Sequence, residues 1–234
     1  MATAASGQTA APKRAHTGRL ARILYSSIGL KLVMAVTGVI LSGFVLGHMV
    51  GNLRVFEGRE ALNAYANFLR IEPLLLWAVR LGLLSAVGLH IWAYVVLTRR
   101  NLGARPTGYR LTQRRESSYA SRSMALTGPL VLAFLVYHIL HLTTGTLHPS
   151  YDHADVYHNL VAGLRVVPVA LFYLLGLAGL ALHLWHGVWS LFQTLGARQA
   201  RYASFGRKFA TVFTLVVVLG FAAVPLSVLA GLVK

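Results

Sequence analysis

Five stretches of this chain are long and apolar enough to cross a bilayer, and they leave room for little else. They run over about 28–50, 74–97, 123–147, 166–195 and 209–233. A spanning helix needs about 20 predominantly apolar residues, and inside lipid every backbone N–H must find its partner within the segment. Only 12% of the residues are charged, too few to cover a soluble surface. The expected fold is therefore an all-α integral membrane protein with five helices. Residues 1–25 read as a mobile basic tail without the apolar core of a cleaved signal peptide, and residues 26–234 as one membrane domain.

The formal net charge of +16 raises the question of nucleic acid. Its distribution answers otherwise. Lys13, Arg14, Arg19, Arg22 and Lys31 precede or begin the first span, Arg99 to Arg122 fill the loop between spans two and three, and Arg198 to Lys208 the loop between four and five. In a five-helix serpentine all of these lie on one side. Five of the six acids, Glu57, Glu60, Glu72, Asp152 and Asp155, lie on the other. This is the positive-inside pattern, and it places the N-terminus in the cytoplasm and the C-terminus outside. The chain has no cysteine, which excludes disulfides, all-cysteine iron–sulfur ligation and c-type haem attachment.

Ionisable residues inside a membrane are costly and mark cavities, cofactors or paths. Histidines fall in four of the five spans: His48, His90, His138 with His141, and His183 with His186. Depth sorts them. Spans one and three run outward, so His48, near the end of its span, and His138, about 15 residues or 22 Å along, both lie in the outer half. Spans two and four run inward, and His90 and His183 each lie roughly 25 Å along, in the inner half. Two imidazole pairs stacked across a bilayer are what two b-type haems require, because haem iron takes an axial ligand on each face. Zinc wants three or four ligands at one point, often with cysteine or carboxylate, and no carboxylate lies deep here. Gly43, Gly47 and Gly51 repeat on one face of the first span. That pattern serves either a small-residue packing seam or the approach of a flat porphyrin. Gly88, Gly179 and Gly187 lie beside the other histidines.

The segments "SSIGLKLVMAVTGVILSGFVLGHMVGNL", "GLHIWAYVVL", "ASRSMALTGPLVLAFLVYHILHL" and "LHLWHGVWSLFQTLG" carry a resemblance. Together they resemble the cytochrome b membrane-anchor subunit of bacterial succinate dehydrogenase and fumarate reductase, of the single-anchor, two-haem type. The resemblance runs from about Ser26 through nearly the whole chain. It implies a haem-binding four-helix bundle plus a fifth helix, with two haems b held by His48, His90, His138 and His183. It also implies the pairing of helix one with three and of two with four. His141 and His186 share a helix face with their neighbours and remain rivals.

The resemblance further implies a respiratory complex in a bacterial inner membrane. A flavoprotein subunit carries FAD, and an iron–sulfur subunit passes electrons to the anchor. The proximal haem (His90/His183) and the distal haem (His48/His138) relay them to menaquinone. Ser27, Lys31 and Arg122 stand at the cytoplasmic helix ends, where haem propionates need partners; interfacial anchoring is the alternative for each. Glu72, with Arg70, lies on the outer side, near where an acidic residue serves the menaquinol site in relatives, and reads equally as a solvated helix start. Ala181 stands where some relatives carry a proton-conducting glutamate, so that route is expected to be missing. His148, His153 and His158 share an outer loop with Asp152 and Asp155, read as a solvated loop, with adventitious metal binding the alternative. Two other readings compete: a haem b anchor of a formate dehydrogenase or hydrogenase, and a haem-free transporter.

Overall fold

The computed structural model describes residues 25–104, 119–196 and 200–234, with the side chains of 119–122 and 200–201 left aside. The tail over 1–24 and most of the arginines between spans two and three lie outside the described residues. Those residues form seven α-helices and no strand: α1 (Ser27–Asn52), α2 (Arg59–Phe68), α3 (Pro73–Gly103), α4 (Tyr119–His138), α5 (Val156–Arg165), α6 (Val167–Thr194) and α7 (Ala200–Leu229). Five of them, α1, α3, α4, α6 and α7, are long and apolar enough to span a membrane. The protein is an all-α, multi-pass membrane protein.

The helix ends follow local chemistry. Ser26 caps α1, its hydroxyl accepting from the Gly29 N–H at 2.9 Å. Pro73 opens α3, where its missing N–H costs nothing. The fifth span was expected to reach residue 233 but stops at Leu229. Gly231 takes a left-handed φ of 71°, and the Leu232 N–H turns back to the Ser227 carbonyl at 2.9 Å, closing the helix. The third span was expected to continue to 147. Its regular helix ends at His138, widens into a π turn over Ile139–Thr143 and then leaves the helical path.

Two short helices went unforeseen. α2 comes after a 3₁₀ turn (Leu53–Glu57) and Gly58 at φ 102°. α5 begins at Asp155, whose carboxylate accepts from the His158 N–H at 2.9 Å, and a single extended residue, Val166, joins it to α6. Leu62, Tyr157, Leu160 and Leu164 bury their side chains with Val55, Val224 and Val228. The two helices thus cover one end of the bundle. Asp155 also accepts from Arg59 at 2.7 Å and Asn63 at 2.9 Å, stitching α2 to α5. This covered end is called the far end, and the end where α1 starts the near end.

The spans sort into two layers. α3 packs chiefly on α1, around Leu30, Ala93 and Leu97. α6 packs closely on both α4 and α7. Between lipid-embedded helices there is no hydrophobic driving force, so small residues at the contact matter. A Cβ on Gly176 would stand 2.4 Å from the Phe134 ring, and one on Gly179 2.8 Å from Leu130. Those glycines let α4 and α6 dock. α1 bridges the layers through lighter contacts with α6 and α7.

Candidate functional site

Histidines from the two layers meet at two levels. At the near level His90 of α3 faces His183 of α6, with ring centroids 6.3 Å apart. At the far level His48 of α1 faces His138 of α4, with centroids 5.8 Å apart. Each pair takes one ring from each layer. On α1, Gly38 abuts His90 and His48 belongs to the far pair. Ten residues of helix separate them, or about 15 Å of rise.

The near pair lies against bare backbone. A Cβ on Gly38 would stand 3.7 Å from His90 Cε1, and one on Gly128 4.0 Å from His183 Cε1. Thr37, buried within the apolar run of α1, places its Oγ1 3.0 Å from His90 Nδ1 and donates to the Val33 carbonyl at 2.7 Å. His183 Nδ1 is buried and has no hydrogen-bond partner.

The far pair is set among rings. Phe44 stacks on His48 at 5.5 Å, and Phe221 of α7 approaches it at 5.8 Å, which brings the fifth span into the site. Asn52 Nδ2 lies 3.4 Å from His48 Nε2, at the weak end of hydrogen bonding. The Tyr173 hydroxyl of α6 stands between two histidines of the third span, 3.4 Å from His138 Nδ1 and 2.9 Å from His141 Nδ1.

The π turn parts the rivals. An α-helix would keep His138 and His141 on one face. Widened at Ile139, the chain sends His141 into the far-end core, fully buried and stacked on His148 at 4.9 Å. His148 is itself held at both ring nitrogens, by the Asn159 carbonyl at 2.8 Å and the Ser150 N–H at 3.1 Å. On α6 the helix is regular, and it is His183 that stands near His90; His186 Nδ1 is buried without a hydrogen-bond partner.

The other expected positions are more dispersed. Ser27 and Lys31 lie on the first turns of α1, at the near end, and both are exposed. Arg122 falls outside the described side chains. Glu72 is the exposed residue preceding α3, its side chain making no cap, and Arg70 donates to the His153 carbonyl at 3.3 Å. Among the described residues no three His, Asp or Glu side chains converge on a point. Of the glycines singled out in the sequence, Gly51 packs under the Tyr65 ring and Gly179 under Leu130, whereas Gly43, Gly47, Gly88 and Gly187 face open space. The seam reading fits Gly51 and Gly179, while the other four meet no neighbouring side chain.

The paired rings fit a metal held between two imidazoles. Bonds of about 2.0–2.1 Å to each nitrogen set ring centroids about 6 Å apart, close to what both pairs display. Sequence reasoning passed over Thr37, Gly38, Gly128, Tyr173 and Phe221. Thr37 offered a weak signal, one of two hydroxyls with Ser42 in the middle of a mostly apolar run.

Comparison with protein families supplies an independent finding. Residues 99–223 match the succinate dehydrogenase/fumarate reductase transmembrane subunit family. The match covers more than half of the chain and includes His138 and His183. The chain belongs to that family. Neither the curated proteins nor the solved structures give a match.

Proposed function

We propose that this subunit is the two-haem cytochrome b anchor of a succinate:quinone oxidoreductase, with residues 26–234 as one membrane domain. The observation that carries the reading is the stacking of two histidine pairs, each with one ring from either layer of the bundle. His90 and His183 would hold the proximal haem, and His48 and His138 the distal one. Haem b held there would supply one-electron transfer between an iron–sulfur partner and quinone.

The chain's own residues do the rest. Two layers joined lightly through α1 hold the rings apart at cofactor spacing. Gly38 and Gly128 keep side chains out of the near level, and Phe44 and Phe221 exclude water at the far level. The basic near end would face the cytoplasm by the positive-inside rule. There it would receive the iron–sulfur subunit, behind which a flavoprotein handles the dicarboxylate. Ser27, Lys31 and Arg122 at that end are candidates for the propionates of the proximal haem. The covered far end would face outward, with menaquinone as the electron acceptor and Glu72 and Arg70 as candidates for its site. Ala181 offers no titratable group, so proton transfer through that position is not expected.

Haem content per chain of the purified complex, read as the pyridine haemochrome, tests this. Two haems b are expected in the parent. His48→Ala and His138→Ala should each remove the same one, and His90→Ala and His183→Ala the other. Loss with His141→Ala but not His138→Ala would overturn the ligand assignment. Co-purification with a molybdenum or nickel subunit would reassign the partner enzyme, and a parent without haem would overturn the reading.

A further inference from the structure

We infer that Thr37 is the positioning residue of the near pair: its hydroxyl accepts the Nδ1 hydrogen of His90 and so leaves the Nε2 lone pair of that ring for a metal. The inference rests on the two-haem reading but concerns a residue outside the ligand set. A threonine hydroxyl has one hydrogen and two lone pairs. Thr37 sends its hydrogen to the Val33 carbonyl, at 2.7 Å the shortest of its contacts, with the Met34 carbonyl at 3.2 Å. Such back-bonding to the preceding turn is the ordinary habit of a threonine inside a helix. What faces His90 Nδ1 at 3.0 Å is then a lone pair, and the Met34 carbonyl, a second acceptor for the His90 ring, calls for the same N–H. A lone pair attracts only an N–H, so Nδ1 carries the hydrogen of the neutral ring and Nε2 is bare.

Three further features set this contact apart from a chance encounter. Thr37 is 4% exposed, so no water competes for its hydroxyl. It lies on α1 while His90 lies on α3, so the bond ties the two helices of one layer at the level of the pair. It is also one-sided: His183, across the gap, has a buried Nδ1 with no hydrogen-bond partner. One ring of the near pair is thus oriented by the protein, and the other is left to follow whatever the pair holds. Hydrogen-bond acceptors behind a metal-bound imidazole fix its tautomer and ring plane and raise its basicity. A more basic ligand favours the oxidised metal, so Thr37 should lower the midpoint potential of the near haem.

The test uses the purified complex carrying Thr37→Val, which keeps the branched shape and removes the hydroxyl, with Thr37→Ser as the rescue. Haem per chain, redox titration and the low-spin EPR spectrum are read together. His48→Ala, which keeps the near haem alone, identifies its signals. Thr37→Val is expected to retain two haems, to raise the midpoint of the near haem and to move its highest g-value, with the far haem unchanged. Thr37→Ser should return both quantities towards the parent. An unmoved near haem, a shift confined to the far haem, or a serine variant that behaves like the valine one would overturn the inference. If the valine variant does not assemble, Thr37→Ala against Thr37→Ser decides on the same readouts, since neither adds volume. A parent that contains no haem defeats the two-haem reading itself, which is a separate outcome from a haem that ignores Thr37.

Discussion

The two histidine levels are built alike but tethered differently. At each level one ring has a hydroxyl at its Nδ1: Thr37 for His90, Tyr173 for His138. The Thr37 hydroxyl passes its own hydrogen to a main-chain carbonyl, so the near tether ends in fixed backbone. The Tyr173 hydroxyl lies 2.9 Å from His141 Nδ1, so the far tether runs on into a second imidazole and from there into the His148 stack. The near level is walled by glycine backbone and the far level by aromatic rings. The same imidazole pair therefore sits in unlike surroundings, and if each pair holds a haem, as proposed, hydrogen bonding and burial are levers that would set the two to different potentials.

The largest expected effect that breaks this symmetry is steric. Gly128→Leu would push a side chain towards His183, whose ring a bare Cβ would already approach to 4.0 Å. It should remove the near haem and spare the far one, halving haem per chain while the EPR signal of the far haem persists. Loss of both, or of neither, would show that the two levels are not independently walled.

Tyr173→Phe should act on the far level alone. It removes the hydroxyl shared by His138 and His141 and leaves a fully buried Nδ1 unmet, a cost of roughly 1–3 kcal/mol. The far haem should change its midpoint with the near haem unmoved, and the thermal midpoint of the subunit should fall. An unchanged far haem would mean that the 3.4 Å contact to His138 is too long to matter.

The smallest effect concerns the covered end. Burial alone would raise the Asp155 carboxyl, but Asn63, the His158 N–H and Arg59 hold it below its ordinary value. With a depressed folded-state pKa, its stabilisation is complete above the unfolded value and is lost as pH falls through the folded one. Hydrogen exchange in α2 and α5 should be steady at neutral pH and quicken, after correction for intrinsic rates, only in acid below the usual carboxylate range. Arg59→Ala, which removes a mostly exposed partner, should cost no more than about 1 kcal/mol. Exchange that quickens already near neutral pH would point to another group.

The five spans were legible because length and apolarity are one-dimensional properties that lipid reads directly. The two levels were legible for a related reason: alternating helix direction converts residue number into depth. What escaped depended on rotation rather than depth. His138 and His141 are indistinguishable on an ideal helix, and the widened turn that separates them has no marker in "YHILHLT". Thr37 reads as filler in an apolar run until α3 lies beside it. The helices α2 and α5 are short and amphipathic, and their apolar faces cover one end of the bundle, so they resemble loop sequence. Glycines divided in a way that spacing could not foretell, Gly176 and Gly179 bringing helices together while Gly38 and Gly128 line the near pair.

The turn at Ile139–Thr143 has a consequence for how this chain can change over time. A π turn holds one residue more than the α-helix it replaces, so the segment is in effect a tolerated insertion lying just past His138. Removing one residue after His141 would let the segment close into regular helix and return His141 to the face of His138. His141 would then leave its place beside His148, while His138, upstream, would keep its own. Gains and losses of single residues in this segment are thus a route by which the far-end network can be remodelled while the ring opposite His48 stays fixed.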